Sequence, residues 1–253
     1  MVVTNSFALA VRGLRRTLAI GCLSALLLPL TGCMYPDEQT PGNDASARQS
    51  VLAVQDAVDR YMTDNGVLPI VSADESVPKY EKFKLDLGKL KRMNYLGSVP
   101  NVAFESGGRN QFLVIDEETK PTVKLLDIPV YQEAAAVQRK VNDYMNEHSG
   151  GKPVGEELYP GYWSLDFKML GGGEPDARSM FSGQSLTFML DAAGTVWLDY
   201  GLDIATAIRK SSSAPSGDED LRGILVAESY FVPVKSPVYH WVNGEPVAQP
   251  EAG

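Results

Sequence analysis

The sequence predicts an α+β protein built from two tandem helix-plus-antiparallel-hairpin units, closed by a C-terminal β-hairpin. Three observations predict it. Two stretches with apolar residues at helical spacing, Ala53–Pro69 and Ala136–Pro153, are each followed by segments rich in β-forming residues. These segments recur in the same order, which marks an internal repeat. Near the C-terminus Asn243-Gly244 lies between two β-rich runs, the dipeptide that a two-residue hairpin turn favours.

The elements follow in chain order. Residues 1–32 carry Arg12, Arg15 and Arg16, no acid, and the apolar run TLAIGCLSALLLPL. That run is short of the roughly 20 residues a membrane span needs, so it reads as a secretory signal. It ends in Leu30-Thr31-Gly32-Cys33, which resembles the bacterial lipobox. The resemblance implies cleavage before Cys33, diacylglycerol on its sulfur, and a protein held at the extracytoplasmic face of the cell membrane. Two or more acyl chains, at about 0.8 kcal/mol per buried CH₂, hold firmly where one does not. Residues 33–46 lack an apolar period and hold two prolines and a glycine, so they form a tether, about 20 Å end to end as a flexible coil.

Residues 47–130 form the first repeat. Val51, Val54, Val58 and Tyr61 recur at helical spacing and predict a helix over 47–64 that stops at Asn65-Gly66, before Pro69. FKLDLGKLKRMNYL predicts a second short helix or turn, and RNQFLVIDEETKPTVKLLDI two strands with Pro121 near their turn. Residues 131–210 form the second repeat. Val54, Gln55, Val58, Tyr61 and Met62 return 83 positions on as Val137, Gln138, Val141, Tyr144 and Met145. KLDLGKL is echoed by SLDFKML, FESG by FSG, FLVID by TFMLD and TVKLLD by TVWLDY, with the offset falling to 75 at FLVID. GLDIATAIRK closes the unit as a helix. In residues 211–253 a loop, Ser211–Asp220, leads to an aromatic and β-branched run read as strand, which Pro233 and Pro237 confine to an edge or a bulge.

A helix ending in YMTDNGVLP, followed by NYLGSVPNVAFESGGRNQFLV, resembles the soluble part of type IV pilins and type II secretion pseudopilins. That resemblance implies a helix packed on a small antiparallel sheet. The prepilin start is absent, so polymerisation through a membrane-spanning helix is not implied. GCMYP, YMTDNGVLPI and NVAFESGGRNQFLVIDEETKPTVKLLD together resemble the uncharacterised YphF-type lipoproteins of Gram-positive spore-forming bacteria. This second resemblance implies an address and a shape, and no activity.

Charge and composition narrow the chemistry. The chain has a net charge of −9; loss of residues 1–32 leaves 20 cations against 32 acids, a net −12 that repels phosphate backbones and excludes nucleic acid as a partner. Cys22 leaves with the signal and Cys33 takes lipid, so disulfides, cysteine zinc sites and thiol nucleophiles are excluded. His148 and His240 have no neighbour at ligand spacing, and Ser76-Val77-Pro78-Lys79 fits S-x-x-K without its companion motifs. Gly171-Gly172-Gly173 runs into Glu174 and Asp176, a hinge and not a phosphate cradle; the acidic runs at 116–118 and 218–220 lack the spacing of a calcium loop. No catalytic residue, cofactor or metal is assigned.

The candidate binding surface is aromatic: Tyr159, Tyr162 and Trp163 in ELYPGYWSLD, with Tyr239 and Trp241 on the C-terminal strand. The expected function is a non-catalytic interaction or scaffold module of the cell envelope, tied to the membrane by its lipid and bound to an envelope protein. The alternatives are a solute-binding lipoprotein of a transporter, which two doubly wound lobes would favour, and a wall-acting enzyme, which converging carboxylates in a cleft would favour.

Overall fold

Helix α1 (Ala45–Asn65) opens at Asp44, whose side chain accepts the Ser46 N–H, and closes at Gly66. Gly66 has φ 70° and donates its N–H to Met62 O, the left-handed cap that a residue without Cβ adopts freely. The buried face of α1 is Ala47, Val51, Val54, Ala57, Val58 and Tyr61. This computed structural model describes residues 44–71, 73–75, 77–211 and 215–250, all within one compact unit, Glu38–Gly253. The signal segment, Cys33, most of the tether and Ser76 lie outside the described residues.

After α1 come α2 (Lys79–Lys82), β1 (Phe83–Lys84), α3 (Leu87–Arg92), a 3₁₀ turn at Phe104–Ser106, β2 (Asn110–Ile115) and β3 (Thr122–Asp127). Helix α4 (Ile128–Glu147) follows without a linker, because Asp127 ends β3 and accepts the Val130 N–H as its cap. The second repeat therefore begins three residues before the expected 131. Its strands are β4 (Val154–Tyr159), β5 (Tyr162–Leu165), β6 (Phe188–Asp191) and β7 (Val196–Leu198), and α5 (Gly201–Lys210) closes it.

The two sheets have one design. Strands run antiparallel in the orders β1-β2-β3 and β4-β5-β6-β7. The strand that seems missing from the first is there in reduced form, since Ile70 bridges Leu85 antiparallel, as β4 pairs with β5. Asp86 N–H donates to Pro69 O at 2.9 Å, and Asp166 N–H donates to Pro153 O at 2.9 Å. One echo fails. Residues 167–171 form turns where the first unit has α3, because Gly171-Gly172-Gly173 stands where a helix would have to extend.

The C-terminal region departs from the expected run of strand. Arg222–Glu228 is a helix, α6, which turns Leu225 and Val226 inward. Beyond it the segment around Tyr230–Lys235 borders both sheets. Leu125 N–H donates to Tyr230 O, Val232 N–H to Leu125 O, and Leu198 N–H to Lys235 O. Pro233, which has no N–H, falls between these bonds, as the edge rule requires. The hairpin β8 (Val238–Val242) and β9 (Glu245–Gln249) turns at Asn243 and Gly244, with φ 52° and 91°. Both values are positive, as the hairpin turn demands.

Two apolar clusters result. One packs the α1 valines on Phe112, Val114, Val123 and Leu125; the other packs Val137 and Val141 with Phe188, Leu190 and Leu198. Leu113, Ile115 and Leu126, on the opposite face of the first sheet, belong to the second cluster, so that sheet is buried on both sides. Lys124 is caught there at 9% exposure; its ammonium donates to Val226 O and Ser229 O at the end of α6, and burial pushes its pKa down.

Candidate functional site

The structure joins Tyr159 to Tyr239 and packs Tyr162 and Tyr239 into the core. Tyr162 and Tyr239 are fully buried, which corrects their expected place on a binding face. Tyr159 and Tyr239 meet edge to face at 5.9 Å between ring centres. Both hydroxyls donate to Asp199, Tyr239 at 2.7 Å and Tyr159 at 3.1 Å, and Gly201 N–H adds a third bond at 2.8 Å. Burial, then the Asp199 charge, pushes both phenols up, so they remain donors. Tyr162 Oη donates to Gln249 O, which ties β5 to β9. A side chain at Gly201 would collide with the Tyr159 hydroxyl. Trp163 and Trp241 remain half-buried, and Trp241 packs on the second cluster.

The remaining polar candidates lie apart. His148 stacks on Tyr144 at 3.9 Å and its Nδ1 contacts Tyr144 O, at the end of α4; His240 sits on β8 opposite Val247. Among the described residues no group of three His, Cys, Asp or Glu side chains could hold a metal ion. Of the acidic runs, Asp116 pairs with Lys79 at 3.4 Å and Asp220 with Arg222 at 2.8 Å. Asp203 is different. It is 6% exposed in the first turn of α5, its Oδ1 has no partner, and burial holds its carboxyl above the ordinary value against hydrogen bonds from Ser182 and Ser179.

What the two copies share is a glutamine clamp. Gln55 on α1 donates from Nε2 to Pro121 O at 3.1 Å and accepts the Val123 N–H on Oε1 at 2.7 Å. Gln138 on α4 donates to Gly194 O at 2.8 Å and accepts the Val196 N–H at 2.7 Å. A helical carboxamide thus replaces one rung of ladder on the second strand of each hairpin. Each Nε2 also donates to the residue four positions on, Asp59 or Asn142, which fixes the amide. The repeat at spacing 83 contained this signal, but its role needed the strand to be brought to the helix.

The copies differ beside the clamp. In the first, six residues, Asp116–Pro121, join the strands and leave a groove of about 680 Å³ lined by Gln55, Asp59, Met62 and Thr63 on α1 and by Thr119–Thr122. In the second, four residues join β6 to β7, and Gly194, at φ 89°, lies so close that a Cβ would come within 2.8 Å of Met145 Sδ. Met145, the counterpart of the groove residue Met62, therefore covers Gly194 there. A separate pocket of about 210 Å³ opens on the other face of the first sheet, between Phe104, Leu126, Ile128 and Tyr131, with Lys84, Gln111 and Gln132 at its polar edge.

Residues 47–127 match the family model of the YphF family N-terminal domain. The first copy is thus similar to a YphF-type N-terminal domain. No curated protein and no solved structure matches the chain, so the likeness to pilins rests on the sequence. The YphF-type match ends at Asp127, the residue that caps α4, and contains the Gln55 clamp, the groove, Phe104 and Lys84. Among the described residues no helix is long and apolar enough to cross a membrane.

Proposed function

We propose that this chain is an extracytoplasmic lipoprotein, anchored through Cys33, whose YphF-type domain serves as a non-catalytic interaction module for an envelope protein. One observation carries the reading: the two copies divide their labour. The second copy is shut at its groove by Gly194 and Met145 and fastened to the C-terminal hairpin through Tyr159, Asp199 and Tyr239. The YphF-type copy keeps its groove open, and it exposes Phe104 to 56% beside a recess that α4 completes with Ile128, Tyr131 and Gln132. An exposed aromatic beside a recess is how a protein contact gains its anchor.

The test places a photoreactive residue at Phe104, at Lys120 and, as a control on the second copy, at Glu156, in cells that carry the full chain. Recurrent adducts with one envelope protein from Phe104 or Lys120, and not from Glu156, are expected. Adducts with no protein at either first-copy position would sink the proposal. Cys33→Ser should abolish acyl labelling and detergent partition; a variant that keeps both rules out the anchor.

A further inference from the structure

We propose that the pocket beside Phe104 docks an acidic segment of a partner protein. One apolar side chain enters between Phe104, Leu126, Ile128 and Tyr131, and a neighbouring carboxylate meets Lys84. The inference rests on the interaction reading above and names its site and the partner's chemistry. Size is the first argument. At about 210 Å³ the pocket is smaller than the roughly 300–1,000 Å³ of small-molecule sites, and suits a single anchoring side chain. Such a central apolar anchor, with polar groups around it, is the usual source of affinity in a protein contact.

Charge is the second argument, and it selects the partner. The chain has 32 acids against 23 bases, yet none of the pocket's seven lining residues is acidic. Glu105 touches Gln111 at 3.5 Å from outside the lining. The pocket's lysine belongs to a stretch, Lys79–Arg92, with six cations: Lys79, Lys82, Lys84, Lys89, Lys91 and Arg92. Its two acids are occupied elsewhere. Glu81 is buried against Lys235 at 2.9 Å, and Asp86 caps α3 and pairs with Arg92. Lys79 is held by Asp116, whereas Lys84 is exposed and forms no ion pair among the described residues. An unpaired lysine in a lining without acids attracts a carboxylate, and the chain's net charge of −9 disfavours a second copy as the occupant. A phosphate polymer or an anionic lipid surface would use the lysines and leave the apolar pocket idle; a peptide uses both.

The test selects a phage-displayed random peptide library against the full chain after signal removal, then measures affinities of the enriched peptides. An apolar residue flanked by Asp or Glu should be enriched. Lys84→Glu and Phe104→Ala should each weaken binding by about tenfold or more, while Lys168→Glu, exposed on the second copy and outside both recesses, leaves it unchanged. The proposal is overturned if no peptide is enriched, if the enriched peptides lack acids, or if Lys84→Glu and Phe104→Ala bind as well as the parent. It is also overturned if polyphosphate or phosphatidylglycerol vesicles bind through Lys84 with Phe104→Ala unaffected. Should it fail while photoadducts persist from Lys120, the interaction reading stands and only this site is lost.

Discussion

Gln55 and Gln138 are the residues on which each helix holds its hairpin, and each is only half-buried. Truncation to alanine leaves a strand N–H and a carbonyl without their partner, which costs about 1–3 kcal/mol for the pair of bonds. Gln55→Ala and Gln138→Ala should therefore each lower the unfolding free energy by that amount, read as a lower urea midpoint with the slope unchanged; a change near zero would remove the clamp from the account. Asp203 makes a prediction in pH. Its folded pKa is raised by burial above 3.8, so the folded state binds more protons in the window between the two values, and stability falls as pH rises through it. Asp203→Asn removes the buried charge at similar size. The fall should vanish in the variant, and above the window the variant should be the more stable; parallel stability profiles from about pH 4 to 8 would contradict this. At this scale the sequence is weakest. Tyr159, Tyr162 and Tyr239 read as surface anchors because a tyrosine's burial depends on distant partners, here Asp199 and Gln249.

The helices α1 and α4 were legible because a stripe of valines and alanines every three or four residues can be satisfied in one way, by a helix lying on a sheet. Val58 and Val141 are both fully buried at matching positions of the repeat. Val58→Ala and Val141→Ala should each cost about 1–3 kcal/mol, and both should loosen hydrogen-exchange protection of their own hairpin first. Equal loosening of both hairpins by either variant would show that the copies do not keep separate cores. The strands β2 and β3 and the final hairpin were legible for a similar local reason, through β-branched residues bounded by turn dipeptides. Helix α6 was not. Its residues GILVAE serve a strand as well as a helix by composition, and Lys124, about a hundred positions earlier, supplies the donors for its last carbonyls.

In the whole molecule the C-terminal segment bonds to both copies. Lys235 O accepts from β7 while its ammonium meets Glu81, which is 4% exposed on the first copy. Removing one partner of a buried pair leaves the other charge desolvated, so Lys235→Met should cost about 3–5 kcal/mol, and Glu81→Met with Lys235→Met together should recover most of it. Urea unfolding of the three variants and the parent measures this; a double variant no better than Lys235→Met would show that the loss came from packing. The sequence by itself determined the α+β class, the repeat, the YphF-type character of residues 47–127 and the hairpin turns, because each is written in spacing or in backbone preference over a few residues. Only the tertiary structure decided that the first sheet is buried on both faces, that one copy's groove is closed and the other's open, and that the tyrosines are cement. Those outcomes depend on which surfaces meet across a hundred residues of chain, and the free energy of burial is set by the neighbour that arrives there.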